Sequence, residues 1–125
     1  MATTTATITL SSSTLLTDSL NMSVAMSVTG SDTTGIARTK TSVTKDSAAA
    51  LLYGGGFATE AYMYIKNVDA TDSISVFTDT AADDADVIKL GPGQWAFLPV
   101  AIATVYRAYS SANTPYVEWL VYGTE

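Results

Sequence analysis

Leu90-Gly91-Pro92-Gly93-Gln94-Trp95-Ala96-Phe97-Leu98-Pro99 decides the fold class of this chain. Pro92-Gly93 suits positions i+1 and i+2 of a type II turn, because proline presets φ and glycine accepts a positive one. Beyond the turn, Trp95 and Phe97 stand two apart and share one face of a strand, which Pro99 closes. Large side chains on one strand face read as sheet packing, so the pair is expected to anchor one sheet against another.

The same grammar extends in both directions. Leu20, Met22, Val24, Met26 and Val28 alternate with Asn21, Ser23, Ala25, Ser27 and Thr29, the cleanest period-2 run in the chain. Such alternation predicts a half-buried antiparallel strand. Gly30 to Gly35 reads as a loop, and Ile36 to Thr44 as a strand with one wet face. Asp46 to Tyr53 reads either as a short helical turn or as a buried strand, since short apolar runs do not discriminate. In Ala61 to Val68, Tyr62 and Tyr64 oppose Met63 and Ile65. In Ser73 to Thr78, Ile74 and Val76 oppose Phe77. The turn Asn67 to Asp72 is expected to join these two into a hairpin. Val87 to Leu90, Thr104 to Tyr109 and Tyr116 to Tyr122 complete the set, Tyr116, Leu120 and Tyr122 opposing Val117, Trp119 and Val121. Eight or nine strands at this spacing, without long helices, predict an all-β fold: a single antiparallel β-sandwich, jelly-roll-like.

Residues 1–13 form a separate region. Ala2-Thr3-Thr4-Thr5-Ala6-Thr7-Ile8-Thr9-Leu10 is β-branched, uncharged and has little to bury. It predicts an extended N-terminal arm or edge strand, with residues 14–125 as the sandwich domain. An arm of this kind needs a sheet edge, its own or a neighbour's. Thr5, Thr7, Ile8 and Leu10 are therefore candidate interaction residues. Tyr62 and Tyr116 join them as outward tyrosines of the kind enriched at interfaces.

Composition narrows the chemistry. The 125 residues fit one domain, with 47% hydrophobic and 14% charged residues. Soluble domains average about 25% charged residues, so Ser and Thr must cover the surface here. Low charge leaves little repulsion between copies and favours self-association or docking on a larger body. The net charge of −6 comes with only six basic residues, too few for the stripe that displaces counterions from phosphates. No direct contact with nucleic acid is expected. No apolar run reaches the ~20 residues that span a bilayer, and no secretory pattern opens the chain.

There is no histidine and no cysteine. That removes the Ser-His-Asp arrangement, imidazole bases, disulfides and thiolate metal sites. The acidic run Asp79, Asp83, Asp84 and Asp86 could offer oxygens to Ca²⁺, but it lacks EF-hand spacing and reads first as a solvated loop. Glu60 and Glu118 are the only internal glutamates, and a glycosidase would need such a pair a few ångströms apart. Tyr62, Tyr64, Trp95, Tyr106, Tyr109, Tyr116, Trp119 and Tyr122 could build a sugar-stacking platform, although alternating aromatics are more often core and cross-strand pairs. No catalytic residue, cofactor or metal is assigned.

One resemblance adds to this reading. The chain resembles small virion structural proteins of tailed phages, particularly those of marine cyanophages. It does so through Thr3-Thr4-Thr5-Ala6-Thr7-Ile8-Thr9-Leu10, Thr33-Thr34-Gly35-Ile36-Ala37-Arg38 and Tyr64-Ile65-Lys66-Asn67. Gly91-Pro92-Gly93-Gln94-Trp95-Ala96-Phe97-Leu98-Pro99 and Val117-Glu118-Trp119-Leu120-Val121-Tyr122 follow in the same order. The resemblance implies a non-enzymatic virion component made in the host cytoplasm. Its leading form is a decoration or cement protein on the capsid surface that binds the major capsid protein or another virion protein. It implies a homo-oligomer, a trimer being favoured. A tail, neck or fibre component, or a glycan-binding adhesion module, is the alternative.

Overall fold

The computed structural model describes residues 2–14, 20–30, 32–33, 36–47, 49–53, 56–79 and 85–124. They form strands only. In chain order these are β1 (Ala2–Ser12), β2 (Leu20–Gly30), β3 (Asp32–Thr33), β4 (Ala37–Lys40), β5 (Ala50–Tyr53) and β6 (Ala61–Asn67). There follow β7 (Ile74–Asp79), β8 (Ala85–Leu90), β9 (Trp95–Val100), β10 (Val105–Tyr109) and β11 (Tyr116–Gly123).

Two antiparallel sheets make the body. One runs β5-β10-β7-β8, the other β3-β11-β6-β9, with β4 pairing β11 on the same side as β3. The sheets face each other in a sandwich-like arrangement. Between them lie Met63 and Ile65 from β6, Val117 and Val121 from β11, Ile74 and Val76 from β7 and Ala108 from β10. Met63, Ile65, Ile74, Val76 and Val117 are fully shielded from solvent. Each such burial contributes roughly 1.5–3 kcal/mol. The ambiguous run 46–53 resolves as β5, an edge strand whose Leu52 and Tyr53 are buried.

The expected β6–β7 hairpin does not form. The two strands lie in different sheets, and the segment between them crosses from one layer to the other. The reason is Asn67, which follows Met63 and Ile65 on the inward face of β6. Its amide nitrogen donates to the carbonyls of Asp72 (2.7 Å), Leu90 (3.2 Å) and Gly91 (3.0 Å). A buried polar side chain must be bonded, and these bonds tie β6→β7 to the second crossing, β8→β9. That crossing carries the Pro92-Gly93 turn. The turn forms with Gly93 at φ 70° and a Gln94 N–H to Gly91 carbonyl bond of 3.1 Å.

Trp95 and Phe97 do not anchor the sheets together. They share a face as expected, but it is the outer one: Trp95 is 54% exposed and Phe97 half-buried. Inward positions of β9 go to Ala96, Leu98 and Val100. The register explains the choice, because Trp95 pairs Lys66 and Phe97 pairs Tyr64, both outward on β6. The outer face of the other sheet is covered near β7. Phe77 is fully buried there, edge-on to Tyr109 with ring centroids 5.6 Å apart, and Lys45 stands 5.5 Å from its ring centre.

β1 and β2 stand apart as their own two-stranded sheet, paired over eleven residues each from Ala2↔Gly30 to Ser12↔Leu20. β2 is the antiparallel strand expected, but on its apolar side Leu20 alone of the described side chains is half-buried. Met22 and Val24 are 41% and 54% exposed. Alternation is satisfied here by β1 as a pairing partner, and Met22 and Val24 stay exposed.

Candidate interaction surface

Pairing of β1 with β2 sorts the hairpin into two unlike faces. Ile8 stands opposite Val24 and Leu10 opposite Met22, giving an apolar row. On the reverse face Thr5 Oγ1 lies 3.0 Å from Ser27 Oγ and Thr9 Oγ1 3.5 Å from Ser23 Oγ, giving a row of hydroxyl contacts. Ile8 and Leu10 are 40% and 46% exposed. Four large apolar side chains on one exposed face form a contiguous patch, which marks an interaction surface rather than scattered surface residues.

The outward face of the β11-β6-β9 sheet is the second part. Register puts Leu120, Tyr64 and Phe97 in one row and Glu118, Lys66 and Trp95 in the next. Tyr62 stacks on Phe97 with rings nearly parallel and 5.8 Å apart. Tyr64 donates its hydroxyl to Glu118 at 3.3 Å, and Arg38 stands 3.7 Å from the same carboxylate. Partial burial, and then the Glu118 charge and hydrogen bond, raise the Tyr64 phenol above its ordinary 10.0. Tyr62 is raised in the same way by burial and then by Glu60. Both remain donors at neutral pH.

These two parts meet. Thr5, Ala6, Thr7 and Ile8 line one side of a groove of about 300 Å³. Tyr64, Phe97 and Leu120 line it from the sheet, with Trp95 and Ile36 at hand. Of the residues singled out in the sequence, Thr5, Thr7 and Ile8 thus come together. Leu10 continues the hairpin's apolar row beyond the groove. Tyr62 lies beside the groove through Phe97, and Tyr116 stands further down β11 opposite Lys40, 51% exposed. Phe97, Leu120 and Ile36 were not anticipated as surface residues, and Trp95 only as one of the aromatics of a sugar-stacking platform. The parity of Tyr62 and Tyr64 was the signal that could have found Trp95, Phe97 and Leu120.

The other candidates separate. Tyr106 and Tyr122 are core, and Trp119 turns inward with its Nε1 donating to Thr39 Oγ1 at 2.9 Å, so the eight aromatics form no single platform. Glu118 pairs across from Lys66, and Glu60 lies six residues up the chain from Lys66. At roughly 3.3 Å per residue that is about 15–20 Å, beyond the separation of a two-carboxylate glycosidase. Asp79 pairs with Arg107, and Asp86 with Lys45 at 3.0 Å. Asp79 ends β7 and Asp86 lies within β8, so both are strand residues and not the loop residues expected; Asp83 and Asp84 lie outside the described residues. Among the described residues no three acidic or other metal-binding side chains gather.

A polar hollow of about 320 Å³ lies on the other sheet, between Asp72, Ser75, Asp86, Lys89 and Ser110. Its carboxylates already have partners, Asn113 for Asp72 and Lys45 for Asp86.

Comparison with protein families, characterised proteins and solved structures found no match to this chain.

Proposed function

We propose that the chain is a non-enzymatic structural protein of a phage particle, and that it decorates the capsid, binding the lattice of the major capsid protein as a homo-oligomer. The observation that carries this reading is the hairpin β1–β2, eleven residues a strand, with its apolar face open beside an aromatic sheet face. A device of that shape pairs with a strand or an apolar surface of another protein. The strand order supports the same reading by analogy of fold. With the two-residue β3 set aside and β4 counted as the first, the other eight body strands lie 1-8-3-6 against 2-7-4-5. We read this as jelly-roll wiring, an architecture that virus capsid domains and lectins both use.

Imaging particles with and without the protein tests the reading. Density spread over the head lattice and lost on deletion is the expected result. Density confined to a single ring at the neck or tail would move the protein there, and absence from the particle would end the virion reading. The exposed Trp95 keeps one alternative in view, a glycan-binding module. Glycan binding abolished by Trp95→Ala without loss of fold would establish it.

A further inference from the structure

We propose that the groove between β1 and the aromatic sheet face receives the β1–β2 hairpin of a second copy of this chain, so that every copy donates one hairpin and accepts one. No particle enters this contact, so it stands whether or not the chain belongs to a virion.

The edge of β1 is the first reason. Among the described strands β1 pairs with β2 alone. Folded proteins blunt long edges with lysine, proline, bulges or a covering segment. β1 has eleven residues with no charge, no proline and an unbroken register with β2, so lysine, proline and bulge are all lacking. Four consecutive residues, from both faces of the strand, line the groove. β1 therefore meets the groove edge-on, with backbone donors and acceptors at its rim and aromatic rings as its floor.

The occupant follows from what that site can reward. It must be extended, so that it pairs with the edge. It must be apolar on one side, so that it seats on Tyr64, Phe97 and Leu120. It gains nothing from charge, since Thr5, Ala6, Thr7, Ile8, Ile36, Trp95 and these three offer none. The hairpin meets every condition. Ile8, Leu10, Met22 and Val24 form its exposed apolar row, and Asp18 is the only charged residue among the first thirty. Hairpin and groove lining are both uncharged, so seating one on the other brings no like charges together.

Area decides between one-way capture and exchange. Eleven residues at ~3.3 Å and two strands about 10 Å across give a face of roughly 350 Å². Tyr64, Phe97 and Leu120 are half-buried already, so seating it there removes at most about 700 Å² from water in total, below the ~1,000 Å² expected of a specific contact. Only when each copy both donates and accepts can the total for a pair, at most about 1,400 Å², enter the range of stable complexes. Closed exchange also covers the apolar face and the free edge together.

Two single-function variants test the exchange by sedimentation and light scattering of purified protein at high micromolar concentration. Leu10→Lys with Met22→Lys spoils the donated face and leaves the groove lining intact. Trp95→Lys spoils the groove and leaves the hairpin intact. All three positions are exposed, so the fold should survive, as circular dichroism and melting will show. Threonine replacements, which keep strand propensity, substitute for any lysine variant that misfolds. The unaltered chain is expected to be oligomeric and each variant monomeric, and their mixture, which can make only one of the two contacts, should also stay monomeric. A monomeric unaltered chain, a variant that alone keeps the parent mass, or a mixture that recovers the full parent assembly would each overturn the proposal.

Discussion

Removal of the Asn67 side chain should be the most damaging small change outside the hydrophobic core. Asn67 is fully buried where the β6→β7 and β8→β9 crossings meet. Its backbone N–H donates to Gln94, so the strand itself remains tied in an alanine variant. What is lost are the amide bonds to the carbonyls of Asp72, Leu90 and Gly91 and the bond from the Asp69 N–H to Oδ1, 3.0 Å long. A buried group left unpaired costs about 1–3 kcal/mol. Leu90 is buried and meets that cost in full, whereas Asp72, Asp69 and Gly91 are half-buried and recover some bonding from water. The sum for Asn67→Ala is about 3–4 kcal/mol, a large share of the 5–15 kcal/mol available to a domain. Urea unfolding followed by tryptophan fluorescence should show the midpoint falling by roughly 2 M with an unchanged slope. Asn67→Asp should do at least as much harm at neutral pH, because it sets a carboxylate against three carbonyls. Protonation restores one donor, so the aspartate variant should regain stability as pH falls. A loss under about 1 kcal/mol for Asn67→Ala would refute the claim that this side chain holds the two crossings together.

Gly123→Ala should lower the melting temperature through a loss of about 2–3 kcal/mol. A Cβ there would collide with the Glu60 carbonyl and stand 2.8 Å from Phe57 Cγ, while that carbonyl is held by the Thr124 N–H at 3.1 Å. Asp69 accepts from the N–H groups of Asp72 and Thr71 and from the Thr71 hydroxyl, which together lower its pKa below the ordinary 3.8. Its contribution is therefore present above pH 3.8 and lost as pH falls through the lowered value. Melting curves against pH should show that acid loss in the parent and a smaller one in Asp69→Asn. Trp119→Phe gives up the bond to Thr39 and should destabilise by about 1 kcal/mol, whereas Trp95→Phe, at an exposed position, should stay within about 0.5 kcal/mol; chemical melts of the two side by side check both.

Strand identity was readable because period-2 alternation is a property of one segment. It placed Met63 and Ile65 opposite Tyr62 and Tyr64, and Ile74 and Val76 opposite Phe77, as the structure has them. Which face of a strand turns inward is a property of its neighbours, and there the reading failed. Trp95 and Phe97 are the bulkiest residues of β9, yet the inward side went to Ala96 and Leu98, because pairing with β6 fixes parity and β6 was already committed through Met63 and Ile65. The β6→β7 crossing failed for a related reason. Asn67 looks like a turn residue at the end of a strand, and only its inward parity hints that it is buried. For the candidate surface, Thr5, Thr7 and Ile8 were legible from the lack of anything to bury. The aromatic floor opposite them was not, since the outward parity of Tyr62 and Tyr64 reaches Phe97, Trp95 and Leu120 only through the pairing of β6 with β9 and β11.

The hairpin's own stability gives the sharpest reading of what covers it. A lone two-stranded ribbon is marginal in water even when its strands are long. Cross-strand pairs such as Ile8 with Val24 and the Thr5–Ser27 contact each add roughly 0.2–1 kcal/mol, against about 1–2 kcal/mol of backbone entropy for every residue held extended. In a monomer the amides of β1 and β2 should therefore exchange by local opening, far faster than those of β6 and β11 in the core. If copies exchange hairpins, the alternate amides of Thr5 to Ile8 that point away from β2 gain partners and the apolar row is covered. Protection there should then rise toward that of the core in the unaltered chain and fall again in Trp95→Lys. Hydrogen exchange read by mass spectrometry separates the cases directly. Slow exchange along β1 in a chain proven monomeric would mean that the ribbon is stable alone, and the need for a partner that the open face and bare edge imply would vanish.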